Sequence, residues 1–552
     1  MGRRIFVLPL LLIMVTAALP ARQPARARRA MVTAAEAQAT DAGVAILKAG
    51  GNAVDAAVAV GFALGVTHPA MGGLGGGGYM LIRLAGGRAL FIDFREKAPG
   101  AASRDMYRNP EESVTGWRAS GVPGTVRGFD HAARAYGKKA WNELIQPAID
   151  LAEKGAVIPY GEARRRRDAA KRLEQFPESK RVFLKDGAYW EPGDTMKQPE
   201  LAATLRRIAS GGAAEFYSGE TAARLARQMA AHGGLITLDD LAKYAVAERE
   251  VLKGRYRGYD ILAAPPSTAG GIGVLQMLAV LEGTGFERHG AGSAASIHVM
   301  AEVMRRFFAD RNEHLGDPDF VRNPVTGLLS RKYVDRLRAS IDPQRATPSE
   351  RVRPGRPADY ETSETTHYSV VDAEGNAVAV TYTLNSAYGS GVTVPELGFL
   401  LNNNMDNFAA RPGQPNNYGL VQGEANAIRA GKRPLSSMAP TIVLRDGKLY
   451  LVTGTPGGPT ITTAVLQAIV NVLDFGMNAQ EAIDFPRFHH QWLPDRLTME
   501  RGFSPDTIAL LKAKGHQVDI VPSRNDMMAI RVDGGWIEGA ADSRREGKAA
   551  GY

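Results

Sequence analysis

The chain has 552 residues, of which 44% are hydrophobic, and it contains no cysteine. This composition allows a large hydrophobic core and excludes disulfides, thiolate metal sites and cysteine nucleophiles. Most of the formal charge of +9 comes from six arginines in the first 30 residues, which contain no acid, so the remainder carries only about +3. No basic stripe with interleaved aromatic residues follows, and nucleic-acid binding is therefore not predicted.

The first 21 residues have the pattern of a secretory signal peptide. Two arginines precede an apolar run that ends at Val15, and small residues follow it. The apolar run is short for a membrane span, which needs about 20 residues, and no other segment reaches that length. We therefore expect residues 1–21 to be removed, residues 22–32 to form a basic N-terminal segment, and the protein to be periplasmic or secreted without a stable membrane span.

After the signal segment, the hydrophobic pattern predicts a mixture of helices and strands. The predicted helices are residues 33–64 with a break at 50–52, most of 125–255, 272–281, 294–315, 461–474 and 478–484. The predicted strands are residues 79–84, 89–94, 366–371, 377–383, 398–402, 440–445 and 448–453. No internal repeat interrupts this order.

One predicted hairpin begins at a threonine that directly follows a flexible segment. Residues 340–364 are rich in proline and arginine, and Thr365 then opens a strand that turns at residues 372–376 and returns to Thr383. Within a chain, such a threonine is an ordinary strand residue. At a new N-terminus it carries both a nucleophilic hydroxyl and a general base, the α-amine, whose pKa is about 7.7–8.0. The hairpin alone leaves both interpretations open.

Two further motifs do not predict a cofactor or a metal. The glycine tract at residues 72–78 satisfies G-x-G-x-x-G, but a hairpin rather than a helix follows it, so tight backbone packing is the better interpretation. His489 and His490 are adjacent, and adjacent strand residues face opposite sides. The sequence has no phosphate-binding P-loop and no G-x-S-x-G motif.

Three other motifs suit acyl transfer, although each one alone is more typical of a structural feature. Gly457 and Gly458 follow a strand and can present two backbone N–H groups to an oxyanion. Ser436 and Ser437 place two hydroxyl groups beside a tight bend. Arg95 ends a predicted strand, and its guanidinium is suited to binding a carboxylate.

Together, these segments resemble the γ-glutamyltranspeptidase family of N-terminal-nucleophile hydrolases. The matching motifs occur in the family's order between about residues 33 and 540: 50–57, 74–78, 93–96, 121–124, 266–271, 365–369, 434–438 and 456–458. The resemblance implies an α+β fold, a four-layer αββα sandwich, made by two chains after autocleavage. It implies no cofactor and no metal.

The resemblance also implies a self-cleaving precursor. The chain would be cut between Glu364 and Thr365 into a large subunit, residues 33–364, and a small subunit, residues 365–552, which stay together as a heterodimer. Thr365 would then attack γ-glutamyl amides such as glutathione and pass the acyl group to water or to an acceptor amine. Thr383 matches a threonine beside the nucleophile, and Gly457 and Gly458 match the oxyanion hole.

The remaining implied site residues bind the donor. Arg95, Ser436 and Ser437 match the residues that hold its α-carboxylate, and Asn385 matches a residue near its α-amine. Tyr418 matches the tip of a lid over the site.

Two positions depart from the family's usual pattern. The family usually has Glu or Gln at the position of Asn404, and Asp at the position of Asn407, where the carboxylate pairs with the donor's α-ammonium. Neither asparagine supplies a countercharge. We therefore expect glutaryl amides, which lack the amine, to become better substrates relative to γ-glutamyl amides. A register shift that lets Asp406 replace Asn407 would remove this expectation.

Two alternatives to the γ-glutamyl hydrolase and transferase follow. One is a dedicated acylase for glutaryl or cephalosporin-type amides. The other is a family-like binding protein without catalysis, which would remain a single uncleaved chain.

Overall fold

The computed structural model of the protein describes residues 23–353, 366–409, 416, 419–420 and 424–552. The predicted signal segment at residues 1–21, the predicted cleavage pair Glu364 and Thr365, and Tyr418 lie outside the described residues.

Seventeen α-helices occupy the described residues: α1 (Ala37–Lys48), α2 (Ala53–Thr67), α3 (Thr125–Tyr136), α4 (Trp141–Lys154), α5 (Tyr160–Asp168), α6 (Ala170–Leu173), α7 (Pro177–Leu184), α8 (Pro199–Ser218), α9 (Glu220–Ala231), α10 (Leu238–Ala242), α11 (Gly270–Leu281), α12 (Ala294–His314), α13 (Val325–Leu328), α14 (Arg331–Ala339), α15 (Thr460–Leu473), α16 (Ala479–Asp484) and α17 (Pro505–Ala513). Among these described helices, none combines the length and the apolar character needed to cross a membrane.

The same residues contain nineteen strands: β1 (Ala25–Ala27), β2 (Met31–Ala34), β3 (Gly77–Arg83), β4 (Ala89–Phe94), β5 (Ala156–Val157), β6 (Thr195–Met196), β7 (Ala247–Arg249), β8 (Leu252–Tyr256), β9 (Tyr259–Ala263), β10 (Thr366–Val371), β11 (Ala377–Thr383), β12 (Thr441–Arg445), β13 (Lys448–Gly454), β14 (Phe488–His489), β15 (Leu497–Glu500), β16 (Val518–Val521), β17 (Met528–Asp533), β18 (Trp536–Ala541) and β19 (Lys548–Gly551).

Two seven-stranded antiparallel sheets form the centre of the molecule. One has the order β1-β18-β17-β13-β12-β9-β8, and the other has the order β19-β2-β10-β11-β3-β4-β7. In the second sheet the predicted hairpin β10–β11 is central, with β2 on one side and β3 on the other. Its position between these strands buries every residue of both of its strands.

Alternation of side chains along the strands produces four layers. On β3, Tyr79 and Leu81 point between the sheets, where they join Ile442 of the opposite sheet. Met80 and Ile82 point the other way and pack with the buried faces of α1 to α4 and α8. On the outer face of the other sheet, α11, α12 and α15 form a second helical layer. The fold is therefore an αββα sandwich, as expected from the sequence.

Several predicted boundaries were wrong. The predicted helix at residues 33–64 is preceded by β2, which pairs with β10 in the central sheet. Residues 398–402 do not form a regular strand; Leu400 and Leu401 make single bridges only.

In the predicted basic segment, the described residues from Gln23 onward include β1, which pairs with β18. Arg28 stacks on the Trp536 ring at 3.5 Å, so this segment is anchored to the sheet.

The glycine tract packs directly against neighbouring backbone, as the sequence predicted. A Cβ atom added at Gly75 would lie less than 3.0 Å from the carbonyl oxygen of Leu400, and one at Gly76 would lie equally close to that of Thr383. Only glycine allows this approach. The tract therefore supports the end of β11, where Thr383 lies.

We predict that Gly76→Ala lowers the free energy of unfolding by about 1–3 kcal/mol, because the new methyl group must displace the Thr383 backbone. Gly73→Ala is the matched control, since no atom lies within 4 Å of the Cβ position there. Urea unfolding followed by circular dichroism measures both variants. Equal unfolding midpoints would contradict the close-packing explanation.

Candidate active site

The open end of the β10–β11 hairpin carries the first group of predicted site residues. Thr366 pairs with Tyr382, and Thr383 is the last residue of β11. The Thr383 hydroxyl accepts a hydrogen bond of 2.7 Å from the backbone N–H of Asn385. Asn385 has a φ of 79° and donates from Nδ2 to the carbonyl of Asn403 at 3.0 Å. These bonds fix the turn immediately after Thr383.

A second backbone segment reaches the same end of the sandwich from the opposite sheet. Gly454 ends β13, and a Cβ atom there would lie less than 3.0 Å from the ring of His367 on β10. His367 binds the hydroxyls of Thr381 and Ser369 at 2.9 Å each, and burial lowers its pKa to about 3. The histidine is therefore neutral and serves as packing between the sheets.

The turn after β13 contains the two predicted oxyanion glycines. Gly457 and Gly458 have φ values of 137° and 64°, which favour glycine at both positions. Asn525 supports the turn by donating from Nδ2 to the Pro456 carbonyl at 2.6 Å. Among the described residues, none accepts a hydrogen bond from the backbone N–H of Gly457 or Gly458. The turn therefore has two backbone donors without a partner among the described residues.

Arg95 is the centre of the third group. Its side chain is fully buried, and its guanidinium donates to Glu96 Oε2 at 2.9 Å, to Asn407 Oδ1 at 2.5 Å and to the Pro434 carbonyl at 3.3 Å. Glu96 also accepts from Asn404 Nδ2 at 2.6 Å. Burial raises the pKa of Glu96 to about 7, although the positive charge of Arg95 opposes this shift.

These contacts fix which end of each asparagine amide is already used. A guanidinium is only a donor, so Asn407 must direct Oδ1 toward Arg95, and its other end is an NH₂ group. Asn404 has the opposite arrangement: Nδ2 binds Glu96, and Oδ1 has no hydrogen-bond partner among the described residues. Asn404 therefore offers an acceptor, whereas Asn407 offers a donor.

Asp406 does not replace Asn407 at Arg95. Its carboxylate accepts a hydrogen bond of 3.0 Å from the Ser113 hydroxyl. The short helical turn at residues 404–407 thus directs these two neighbouring side chains to different partners. Among the described contacts, Asn407 is therefore the residue of this pair that binds Arg95.

The two predicted serines lie on a loop held by a second motif from the sequence. Thr268 donates to the carbonyl of Ser436 at 3.0 Å, which joins segments 266–271 and 434–438. Ser436 Oγ accepts from the Met438 N–H at 3.0 Å. Ser437 Oγ accepts from Arg311, a buried residue of α12.

Sequence reasoning missed Arg311 and the role of Glu96. The available signal for Arg311 was an arginine within a helix whose face is buried against the sheet. The only signal for Glu96 was that it follows Arg95 in the sequence. That position gives no indication that Glu96 accepts a hydrogen bond from Asn404, 308 positions away.

The two adjacent histidines contact different parts of the protein. His489 binds the Thr463 hydroxyl at 2.9 Å, whereas His490 binds Asp495 at 3.1 Å. Within the part of the chain that the structure describes, no group of three or more His, Cys, Asp or Glu side chains could hold a metal ion.

Comparisons with known proteins place the chain in a family. A family model described as gamma-glutamyltranspeptidase matches residues 39–552. The chain is 50% identical over 538 residues to the glutathione hydrolase proenzyme of Escherichia coli (strain K12), covering 96% of this chain and 93% of that protein. It is 38% identical over 541 residues to the Acylase ACY 1 proenzyme of Pseudomonas sp. (strain SE83), covering 95% and 94%.

A solved structure covers nearly the whole fold. The cephalosporin acylase from Bacillus halodurans has a TM-score of 0.88 and 27% sequence identity, and the match covers 98% of this chain and 99% of that one. Because the family model also spans the hairpin, the Arg95 group and the glycine turn, the chain belongs to the γ-glutamyltranspeptidase family.

Proposed function

We propose that this protein is an exported, self-processing γ-glutamyl hydrolase and transferase that acts on γ-glutamyl amides such as glutathione. The observation that carries the proposal is the register of β10 with β11. Thr366 lies opposite Tyr382, so continuing the ladder by one residue would bring Thr365 opposite Thr383. The candidate nucleophile would then begin at a rigid strand end, as a catalytic N-terminus requires.

Processing would use the same hydroxyl as turnover. The Thr365 hydroxyl attacks the Glu364 carbonyl, so that a C–O bond replaces the peptide C–N bond and the threonine nitrogen becomes a free amine. Water then hydrolyses the ester and releases the carboxylate of Glu364. The backbone N–H groups of Gly457 and Gly458 are suited to stabilise the oxyanion of each tetrahedral intermediate.

The proposed subunits, residues 33–364 and 365–552, would remain associated after this cut. Strands β10 and β11 of the small subunit lie between β2 and β3 of the large subunit in one sheet. In the other sheet, β9 pairs with β12 across the same division. Separation would therefore break the backbone ladders β2–β10, β3–β11, β2–β19 and β9–β12 and expose the core between the sheets.

In turnover, the freed α-amine accepts the proton of the Thr365 hydroxyl as that oxygen attacks the γ-carbonyl carbon of the donor. Collapse of the intermediate transfers the proton to the departing amine and leaves an acyl ester on Thr365. Water or an acceptor amine then repeats the attack on this ester. Thr383, whose hydroxyl is held by the Asn385 N–H, would orient the nucleophile.

Donor binding would use the buried charge of Arg95. Its guanidinium, with the hydroxyls of Ser436 and Ser437, is suited to the donor's α-carboxylate. Asn385 and the free carbonyl end of Asn404 are suited to the α-ammonium. Tyr418 would close the site as a lid.

A second candidate function, glutaryl amide acylase, is favoured by the orientation of Asn407. Because its Oδ1 is bonded to Arg95, the opposite end of the amide is a hydrogen-bond donor and offers nothing to an ammonium group. A glutaryl donor has no ammonium group, so it loses less binding free energy at this position than a γ-glutamyl donor does. The acylase names of two similar proteins agree with this candidate.

We predict that Thr365→Ala abolishes both self-cleavage and turnover, because both steps need its hydroxyl. A denaturing gel should show one band for the variant and two for the wild type, with the smaller wild-type chain beginning at Thr365 by N-terminal sequencing. A wild-type protein that remains one chain would instead support a non-catalytic binding protein. Turnover by the variant would exclude the mechanism.

We predict that Asn407→Asp raises kcat/KM for a γ-glutamyl anilide relative to a glutaryl anilide by about 10- to 100-fold, roughly 1.4–2.7 kcal/mol. The added carboxylate gives the α-ammonium a countercharge. Asp406→Asn is the matched control and should leave this ratio near the wild-type value, since Asp406 binds Ser113. An unchanged ratio in Asn407→Asp would show that the ammonium has another partner.

A further inference from the structure

The stretch of chain that leads toward the proposed cut is held in place by distant parts of the protein. Residues 342–352, which we call the approach segment, contain one short helical turn, Ser349–Arg351, and otherwise no regular secondary structure. Ala346, Ser349 and Val352 are nevertheless buried. The conformation of the approach segment is therefore set by contacts with other segments rather than by a helix or a strand of its own.

Trp492, in the loop between β14 and β15, contacts the end of the approach segment. Its indole N–H lies 2.9 Å from the Ser349 carbonyl and 3.0 Å from the Val352 carbonyl, so one donor is shared between both ends of the short turn. The backbone of Trp492 has a φ of 67°, in the left-handed region that few residues other than glycine adopt. Such a conformation persists where surrounding contacts require it, and here it accompanies an indole directed at the approach segment.

Asp495, three residues later, fixes the same turn through its backbone. Its Oδ2 accepts a hydrogen bond of 2.7 Å from the Ser349 N–H. Because His490 Nδ1 accepts from the Trp492 N–H, its Nε2 carries the proton and donates to Asp495 Oδ1 at 3.1 Å. Burial opposes ionisation of this carboxyl, but hydrogen bonds from His490, Ser349 and Arg305 hold its pKa below the usual range. The bond to the Ser349 backbone is therefore charge-assisted.

Further contacts hold the middle of the approach segment. The Ala346 N–H donates to the Lys514 carbonyl at 2.7 Å. Thr347 donates both its backbone N–H and its hydroxyl to the carboxylate of Glu302 on α12, at 3.1 and 2.6 Å. The approach segment is thus bonded to other segments along most of its length.

The proposed cut turns several of these bonds into contacts between subunits. The approach segment belongs to the proposed large subunit, whereas Trp492 and Asp495 belong to the proposed small subunit. Within the part of the chain that the structure describes, neither residue forms a hydrogen bond with Arg95, Thr383 or Gly457. Their contacts lie on the chain that enters the cut rather than on the groups suited to a donor.

Self-cleavage requires the chain to be held on both sides of the bond that breaks. Strand β10 fixes the chain after the cut from Thr366 onward, and the approach segment fixes it before the cut as far as Val352. Without the approach segment, the preceding fixed point would be the end of α14 at Ala339, and the length of chain between the two fixed points would about double. Closing a loop of twice the length is about threefold less favourable, and lost orientation adds to this cost.

We propose that Trp492 and Asp495 are positioning residues for self-cleavage, which fix the approach segment of the uncut chain and so restrain the N-terminal side of the cut. The inference rests on the proposed self-cleavage before Thr365. It gives the loop between β14 and β15 a role in processing that turnover does not need.

The test separates the rate of self-cleavage from the rate of turnover. Full-length chains are made by cell-free synthesis, translation is stopped, and the conversion of one band into two is followed on a denaturing gel. The first-order rate constant of this conversion does not depend on protein concentration. The release of p-nitroaniline from γ-glutamyl-p-nitroanilide is then measured per amount of cleaved small chain.

We predict that Trp492→Phe slows self-cleavage by about three- to tenfold, because an aromatic ring remains while the donor to both carbonyls is lost. Asp495→Asn should also slow it, since the charged acceptor of the Ser349 N–H is lost. In both variants, turnover per cleaved small chain should equal that of the wild type. Trp141→Phe is the matched control: its indole N–H donates to the Ile208 carbonyl at 2.9 Å, and the variant should keep the wild-type cleavage rate.

The failures of the two proposals are distinguishable. If the wild type never yields a chain that begins at Thr365, the proposed self-cleavage is wrong. If the wild type is cleaved and Trp492→Phe is cleaved equally fast, the positioning proposal is wrong and the proposed function stands. The positioning proposal is also wrong if cleavage and turnover per cleaved chain fall in equal proportion, because the tryptophan then only stabilises the fold. If Trp492→Phe is not cleaved at all, the same two measurements on Asp495→Asn decide.

Discussion

A buried positive charge, the guanidinium of Arg95, is the feature on which the proposed donor site depends. Removing an ion from water costs several kcal/mol unless it is closely paired. Here the compensation comes from Glu96, the amide oxygen of Asn407 and the Pro434 carbonyl. These groups belong to three separate segments of the chain. The charge therefore holds the loops of the proposed donor site in one arrangement, and a carboxylate ligand would add to its pairing.

The same region continues into a wider ion-pair network. Asp93, two residues before Arg95, is buried and pairs with Arg249 at 2.8 Å and Arg433 at 3.3 Å. Loss of one member of such a buried pair typically costs about 3–5 kcal/mol, because an uncompensated charge remains. The network joins the end of β4 to the loop that carries the two serines. The network thus stabilises the two segments that carry residues of the proposed donor site.

Backbone packing supports the opposite side of the proposed centre. The glycine tract lies against the carbonyl of Thr383, and the ring of His367 lies against Gly454. The strand that would begin at the nucleophile and the turn that would stabilise the oxyanion are thereby held against each other across two sheets. This arrangement suits a reaction in which both must act on one carbonyl group.

Much of this could be predicted from the sequence by itself. The β10–β11 hairpin and the tight packing of the glycine tract follow from local hydrophobic alternation and glycine content, which act over short stretches of chain. The four αββα layers were expected from the resemblance to the family. Residues 398–402 were wrongly predicted as a strand. An apolar run alone does not distinguish a regular strand from a buried segment that makes only isolated β-bridges. The resemblance to the family also rests on local motifs.

Only the tertiary structure decided which atoms those residues present. The sequence identifies Asn404 and Asn407 but not the end of each amide that is used by Glu96 or Arg95, since that depends on partners about 300 positions away. Likewise, Trp492 is one aromatic residue among many until the fold brings its indole N–H to the carbonyls of Ser349 and Val352. Local patterns specify elements and residue types, whereas hydrogen-bond directions and partners arise from contacts between distant segments.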